Sequence, residues 1–322
     1  MKLKESDYRL LSYLYHSHNQ PLSKIAKATK FSRDQVEYRL NKYLKEGLIK
    51  KFFPVFDYGK LGYNLFAILL LKFEKPKMAE DFSKNLNKTK NCMSYDKVYG
   101  KYDLWLECIF RNEKELNEFI FKLFENEKSF ITDYVLIKPQ FAELYPLKFF
   151  NYAYKEDYLI SFEQKKEIKL NEIDLKILKI LSENAKTKLI DIAIKTNISS
   201  ELALYRTKRL KTEKIILGNR IQFDMSLLGY FFTIIFINFR SLSEKNREKI
   251  KSFTKNSKNI NSLIFNLQKP NCMISFLYKS VKEVEEGIEK IRNLFKEDSI
   301  EIDVLQIGEE EEKIRPLPFL DL

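Results

Sequence analysis

The chain repeats itself, and this constrains its fold more than any other feature. Displaced by 167 positions, the stretch from Leu3 to about Leu70 lies on Leu170 to Ile237 without a gap. Asp7 falls on Asp174, Leu11 on Leu178 and Leu14 on Leu181, while Leu22, Ile25 and Ala26 fall on Leu189, Ile192 and Ala193. Tyr38-Arg39 falls on Tyr205-Arg206, Phe56-Asp57 on Phe223-Asp224, and Leu61-Gly62-Tyr63 on Leu228-Gly229-Tyr230. Later the register drifts, and Pro146-Leu147 then matches Pro316-Leu317. Chance supplies scattered Leu matches in a chain rich in Leu, Ile and Lys, but not gapless runs. The pattern reads as a tandem duplication with a seam near residues 151–169.

Each repeat opens with three short helical patterns and a strand region. Ser6 is placed to cap a helix whose Leu10, Leu11, Leu14 and Tyr15 share one face. Pro21-Leu22 opens a second helix, Leu22–Thr29. Ser32 and Gln35 form an S-x-x-Q capping box for a third, whose core stripe is Val36, Leu40, Tyr43 and Leu44. After Gly47, residues 48–55 read as a hairpin, and in the second repeat Gly218-Asn219 looks like its tight turn. The remainder of each repeat alternates strands and helices in the order β-α-β-β-α-β, a ferredoxin-like arrangement. Its first strand, Asn64–Phe73, is apolar on both faces, so one layer of helices cannot cover it and a second sheet is required. The expected fold is therefore α+β, with two winged helix-turn-helix domains, each followed by a ferredoxin-like βαββαβ domain. The expected boundaries are 1–57, 58–150, a linker at 151–169, then 170–225 and 226–322.

Charge follows this division. The whole chain holds 57 Lys/Arg against 45 Asp/Glu, a net +12. Residues 1–55 hold twelve basic and five acidic residues, about +7, and residues 168–222 hold twelve and six, about +6. The helical modules thus account for the whole excess and the αβ modules are close to neutral. Positive charge localised on a three-helix module is the electrostatic footprint of duplex DNA binding. A Gln, Arg and Tyr cluster at the start of the third helix suits a major groove. The candidate DNA contacts in the first repeat are Arg33, Gln35, Tyr38, Arg39 and Lys42, with Lys50 and Lys51 on the wing. In the second they are Ser200, Tyr205, Arg206 and Arg209. There Leu202 and Leu204 stand where the first repeat has Gln35 and Glu37, which weakens base reading by the second helix.

The pattern Asp7-x-x-Leu10-Leu11, Leu22-x-x-Ile25-Ala26, Phe31-Ser32, Val36-x-x-Arg39-Leu40, Leu44-x-x-Gly47-Leu48-Ile49 resembles the leucine-responsive/AsnC (feast/famine) regulator family. So do Leu61-Gly62-Tyr63 and Gly100-x-Tyr102-Asp103-Leu104. The resemblance spans both repeats and implies a transcriptional regulator that binds double-stranded DNA and has no cofactor. It further implies αβ sheets packed face to face, homo-oligomers built through the αβ domains, and an amino acid or related small effector. This chain departs from the family by holding both halves of the dimer in one polypeptide, so its operator is expected to be asymmetric. The effector motif places Gly100, Tyr102 and Asp103 as binding residues: a glycine admits close backbone approach and an aspartate can pair an ammonium group. A structural turn is the competing interpretation. The aligned stretch of the second repeat, Lys269-Pro270-Asn271-Cys272, lacks both the Gly and the Asp.

Other chemistry is sparse. The three cysteines, Cys92, Cys108 and Cys272, are far apart, lie in apolar stretches and form no metal or disulfide pattern. The longest apolar runs fall far short of the roughly 20 residues of a membrane helix, so a soluble cytoplasmic protein with no membrane partner is expected. The two histidines, His16 and His18, read as solvated residues at a helix end, and Glu309–Glu312 as a solvated charge run. No phosphate-loop, dinucleotide or nucleophile-elbow motif occurs. Two alternatives remain. Sirohaem decarboxylases resemble the same architecture, but are expected to use histidine near the αβ domain, where this chain has none. A non-DNA-binding assembly partner is the other, supported by the apolar substitutions in the second recognition helix.

Overall fold

The computed structural model describes residues 3–86, 88–125, 130–150, 158–161, 165–308 and 314–320. Three helices, α1 (Glu5–Ser17), α2 (Leu22–Thr29) and α3 (Arg33–Lys45), lead into one strand, β1 (Ile49–Phe56). Then come β2 (Leu65–Phe73), α4 (Pro76–Leu86), β3 (Cys92–Tyr99), β4 (Leu104–Phe110), α5 (Glu113–Glu125), β5 (Ile131–Ile137), β6 (Pro139–Leu144) and β7 (Tyr158–Ser161). The order recurs with α6 (Glu172–Glu183), α7 (Leu189–Thr196), α8 (Ser200–Thr212) and β8 (Ile216–Phe223). It continues with β9 (Phe231–Phe239), α9 (Glu244–Asn256), β10 (Ile260–Asn266), β11 (Cys272–Tyr278), α10 (Val281–Leu294) and β12 (Ile300–Ile307). Within the expected linker, residues 151–157 and 162–164 lie outside the described residues, while Tyr158–Ser161 form a sheet strand. The 309–312 acidic run also lies outside them.

Packing divides the chain into two units, and neither is a single repeat. One collects Met1–Asp57, Pro146–Tyr158 and Ile168–Tyr230, hence both helix-turn-helix segments. The other collects Tyr58–Tyr145, Leu159–Glu167 and Phe231–Leu322, hence both αβ segments.

In the helical unit, Leu10, Leu11 and Leu14 of α1 and Ile25 of α2 are fully buried, as their spacing predicts. The cap of α1 is Lys4, not Ser6, which lies inside the helix. At the turns after α2 and α7 the backbone is left-handed, at Lys30 and Asn197 (φ 55° at each). The expected hairpins are absent. Residues 49–56 form one strand, and it pairs antiparallel with residues 216–223 of the second segment. Gly218 and Asn219 are not a turn: they sit in β8 opposite Val55 and Pro54. A single strand cannot satisfy its own backbone groups, so each segment supplies the other's partner. The crossover extends to side chains. Tyr15 of α1 stacks on Phe223 of β8 (6.0 Å), and the Ala185 N–H donates to Phe52 O (3.0 Å). His18 is not solvated: it is 1% exposed and its ring lies 4.7 Å from that of Phe52.

In the αβ unit each segment forms a four-stranded antiparallel sheet, β5-β2-β4-β3 and β12-β9-β11-β10, the ferredoxin-like order. Leu69, Leu71 and Phe73 pack under α4 and α5 with Leu106, Leu116 and Phe119, while Ile235, Ile237 and Phe239 pack with Ile250 and Ile291. The opposite face of β2, carrying Phe66, Ile68 and Leu70, is buried as well. The sequence does not reveal that these two sheets also join at their edges. β3 pairs with β12 at Val98↔Ile307 and Tyr99↔Gln306, and β6 pairs with β10, giving one ten-stranded order that begins at β5 and ends at β6-β7. Yet β5 ends at Ile137 and β6 starts at Pro139. Eight strand spacings would span roughly 38 Å in a flat sheet, whereas a single residue between strands bridges only about 7 Å. The sheet therefore folds over, bringing its two halves face to face and covering the second face of β2.

The tails are exchanged in both units. Tyr63 stacks on Phe319 (3.8 Å), and Tyr230 packs on Phe149 (4.1 Å). Arg315 donates to Thr89 O at 3.0 Å, beyond the end of α4, and its N–H donates to Met93 O at 2.7 Å. Cys92, Cys108 and Cys272 are buried free thiols, and burial pushes those of Cys108 and Cys272 far up from the usual thiol range.

The ribbon is directly testable by hydrogen exchange. Segments 49–56 and 216–223 are expected to open together, with peptides spanning Gly218-Asn219 protected like a strand. Fast exchange there, with 49–53 protected independently, would restore two separate hairpins.

Candidate nucleic-acid interface

The third helix is positioned by a carboxylate on the first. Asp7 accepts the Lys4 N–H (2.8 Å), the Tyr43 hydroxyl (2.5 Å) and a charge-assisted bond from the Arg39 guanidinium. Burial alone would raise the Asp7 pKa, but these bonds and the Arg39 charge outweigh it and hold the carboxyl below its ordinary 3.8. For Tyr43, burial and then Asp7 push the phenol well above its usual range. The second segment rebuilds the device with Asp174, which accepts from Arg206 (3.3 Å) and faces Arg209 (3.5 Å). The Tyr43 position there is Leu210. Arg39 and Arg206, candidates for DNA contact, are thus held by internal ion pairs that lock the helix-turn-helix angle. Arg209 also pairs along its own helix with Glu213 (2.8 Å).

The outward face of α3 presents the rest. Arg33 and Tyr38 are exposed, Tyr38 at 69%. Gln35 is exposed but engaged: its Oε1 accepts the Ser32 N–H (2.9 Å) while its own N–H donates to Ser32 Oγ (3.1 Å). A bidentate grip on adenine needs both ends of the amide, so at Gln35 base reading competes with capping. Lys42 stands 3.8 Å from Glu46, and Lys50 stands 3.5 Å from Asp224. Lys51 is half-buried. On α8, Ser200 and Tyr205 are exposed, but so are Leu202 and Leu204.

A cleft of about 690 Å³ in this unit is walled by both segments, including Gln20, Glu37 and Asn41 from the first and Lys186, Lys188 and Lys211 from the second. Lys186 lies over the Phe52 ring (4.9 Å), and burial lowers its pKa. Motif reasoning missed these lysines because they lie outside the third helix; only the segment's net charge hinted at them.

The Gly100–Asp103 turn behaves as a staple. Gly100 has φ +126° and open space around it, while Tyr102 is buried. Asp103 accepts the Phe73 N–H and the Lys72 ammonium, both at 2.8 Å, so both carboxylate oxygens are committed. In the second module Asn271 fills this role, accepting the Phe239 N–H (3.0 Å) and donating to Phe239 O (3.1 Å). A one-residue drift in register hid that equivalence from the sequence alignment.

Asp7→Asn removes the charge that faces Arg39 and is expected to cost about 1–3 kcal/mol in urea denaturation. Because the folded-state pKa is depressed, this contribution is present above the unfolded value and is lost as pH falls below about 3.8. The wild-type advantage over Asp7→Asn should therefore vanish in acid; an advantage constant with pH would remove Asp7 from this role.

Comparison with known proteins agrees with this geometry. The family profile described as "Winged helix-turn-helix DNA-binding" matches residues 170–216. The HTH-type transcriptional regulator FL11 of Pyrococcus abyssi is 32% identical over 120 residues, covering 37% of this chain and 79% of that protein. Its namesake from Pyrococcus horikoshii is 31% identical over 118 residues, covering 37% and 78%. Among solved structures, the siroheme decarboxylase NirDL aligns with a TM-score of 0.65 at 14% identity, over 98% of this chain and 96% of that one. At that identity the likeness is one of fold alone. Among the described residues no helix is long and apolar enough to cross a membrane. With its helix-turn-helix segments, its βαββαβ modules and these relatives, the chain belongs to the HTH-type transcriptional regulators of the leucine-responsive/AsnC type.

Proposed function

We propose that this protein is a cytoplasmic, sequence-specific DNA-binding regulator that acts as an intramolecular pseudo-dimer and reads an asymmetric operator. The observation that supports this most is the inequality of the two recognition helices. α3 presents Arg33, Gln35 and Tyr38 outward, whereas α8 presents Ser200, Leu202 and Tyr205 at the same positions. Identical helices favour palindromes; unequal helices favour half-sites of different sequence. Arg33, Gln35 and Tyr38 read bases in this scheme, Gln35 by releasing its capping bond to Ser32. Lys42, Lys50, Lys51 and Arg209 contact phosphate, joined by Lys186, Lys188 and Lys211, while Arg39 and Arg206 hold the helices in place. An amino-acid-like effector at Gly100, Tyr102 and Asp103 would have to displace the Lys72 ammonium from Asp103.

A second reading is favoured by the full-length fold match to a siroheme decarboxylase. The αβ modules fit a tetrapyrrole poorly. Neither contains a histidine, and the cleft of about 330 Å³ bordered by Asn64, Glu113 and Lys138 offers an ion pair rather than an imidazole. Added sirohaem should give no saturable, stoichiometric shift of its absorption band. A tight complex that undergoes decarboxylation would replace the regulator assignment.

The regulator reading is tested by randomised-operator selection with wild type, Arg33→Ala and Gln35→Glu. Gln35→Glu keeps an acceptor for the capping box but loses the amide donor. Each variant should relax discrimination in one half-site only, by about 1–3 kcal/mol for a lost bidentate contact. Contacts to roughly 6–10 phosphates should weaken binding about 10³–10⁵-fold between 50 and 200 mM salt. Adjacent perfect palindromes, or salt-insensitive binding, would reject it.

A further inference from the structure

The cleft of about 690 Å³ in the helical unit has two unlike walls. The second segment lines it with Lys186, Lys188 and Lys211, where the 167-residue displacement puts Asn19, Pro21 and Leu44 in the first. None of the three lysines is ion-paired among the described residues. Lys186 is half-buried over the Phe52 ring, and burial lowers its pKa. A partly desolvated ammonium that faces no carboxylate is stabilised by an anion that enters beside it. The first segment supplies Asn19, Gln20, Asn41 and Glu37, the one carboxylate among the described lining residues. Leu40, Leu189, Ile192, Leu204 and Ile216 add apolar surface. Leu204 is 42% exposed and stands where the first segment has Glu37. Helices α2 and α7 both begin at the cleft, at Leu22 and Leu189, and neither start is closed by a capping side chain. Their N–H groups and partial positive charge reinforce that of the lysines.

We propose that this cleft binds a small organic dianion with an apolar body, a phosphate monoester in chemical class, and that the bound molecule competes with DNA. Its anionic group sits among Lys186, Lys188 and Lys211, its apolar body lies against Leu204 and the neighbouring aliphatic groups, and the first-segment wall takes its remaining polar atoms. Duplex phosphate shares the anionic chemistry but not the rest. A phosphate backbone is anionic along its whole length, so Glu37 opposes it and Leu204 gains nothing from it. A small molecule can turn one charged end to the lysines and keep it away from Glu37. The volume is that of an ordinary small-molecule site, and apolar lining with a few convergent polar groups is the usual composition of one. The site is separate from Gly100, Tyr102 and Asp103. The competition rests on the regulator reading, in which the same lysines contact phosphate; the site itself does not.

The test is calorimetric titration of the full chain, without DNA, with 1-naphthyl phosphate as the probe and neutral 1-naphthol as its control. One equivalent of the phosphate should bind saturably, and naphthol at least roughly 10-fold more weakly. Lys186→Gln/Lys211→Gln should weaken the phosphate roughly 10-fold or more at unchanged circular dichroism. Leu204→Glu, an exposed change that installs the first segment's residue, should act in the same direction by setting a second carboxylate in the cleft. Lys282→Gln, in the αβ unit with a side chain 81% exposed, should change nothing. Absence of saturable binding, equal binding of naphthol, or variants that bind like wild type overturn the site. If the lysine variant weakens only duplex binding, the lysines are backbone contacts and the site is overturned as well. With labelled operator present, the phosphate should release DNA from wild type but not from Leu204→Glu, and undisturbed DNA binding overturns the competition. A chain that binds the probe in this way but no duplex sinks the regulator reading and leaves the site standing. A chain that binds operator but not the probe does the reverse.

Discussion

The pairing of β1 with β8 is the constraint on which the helical unit depends. Each helix-turn-helix segment has a single strand, and a single strand leaves a row of donors and acceptors unpaired. Antiparallel pairing between segments satisfies both rows at once and brings Phe52, Phe56 and Phe223 into a common core with α1 and α6. The internal carboxylates then fix each recognition helix against its own first helix, Asp7 through Arg39 and Tyr43, Asp174 through Arg206. One interaction joins the segments; the other sets the angle within each.

The αβ unit solves the same problem differently. An apolar strand buried on both faces needs a layer of helices on one side and a sheet on the other. The fold supplies the second sheet by letting the chain leave β5 and enter β6, on the far end of the strand order. Edge strands that would otherwise be exposed at β3, β12 and β10 are thereby paired within the chain.

Much of this was legible in the sequence. The 167-residue displacement, the helix stripes, the Ser32–Gln35 capping box and the doubly apolar β2 all carry local or periodic signals. What stayed hidden is non-local. Nothing near Gly218-Asn219 says that Pro54 will lie opposite, so a turn was the natural reading of a Gly-Asn pair between apolar runs. The burial of His18 depends on Phe52, a residue of the following strand. Of the site candidates, exposure favours Arg33 and Tyr38, while Arg39 and Arg206 proved to be internal ties because their carboxylate partners lie 32 positions away. The pattern Asp7…Arg39 and Asp174…Arg206 was visible in the alignment, yet its shared spacing could be recognised as an ion pair only in three dimensions.

The exchanged ribbon has a consequence for synthesis. β1 leaves the ribosome long before β8 exists, since 160 residues separate Phe56 from Ile216. At about 5–20 residues per second the first helix-turn-helix waits on the order of 8–30 s with an open strand edge and an uncovered Phe56. During that interval the nascent chain is most exposed to pairing with the wrong partner, including the same strand of a neighbouring nascent chain on one messenger. In an in-register parallel mispairing of two such strands Lys50 would lie beside Lys50 and Lys51 beside Lys51, and that repulsion disfavours the pairing.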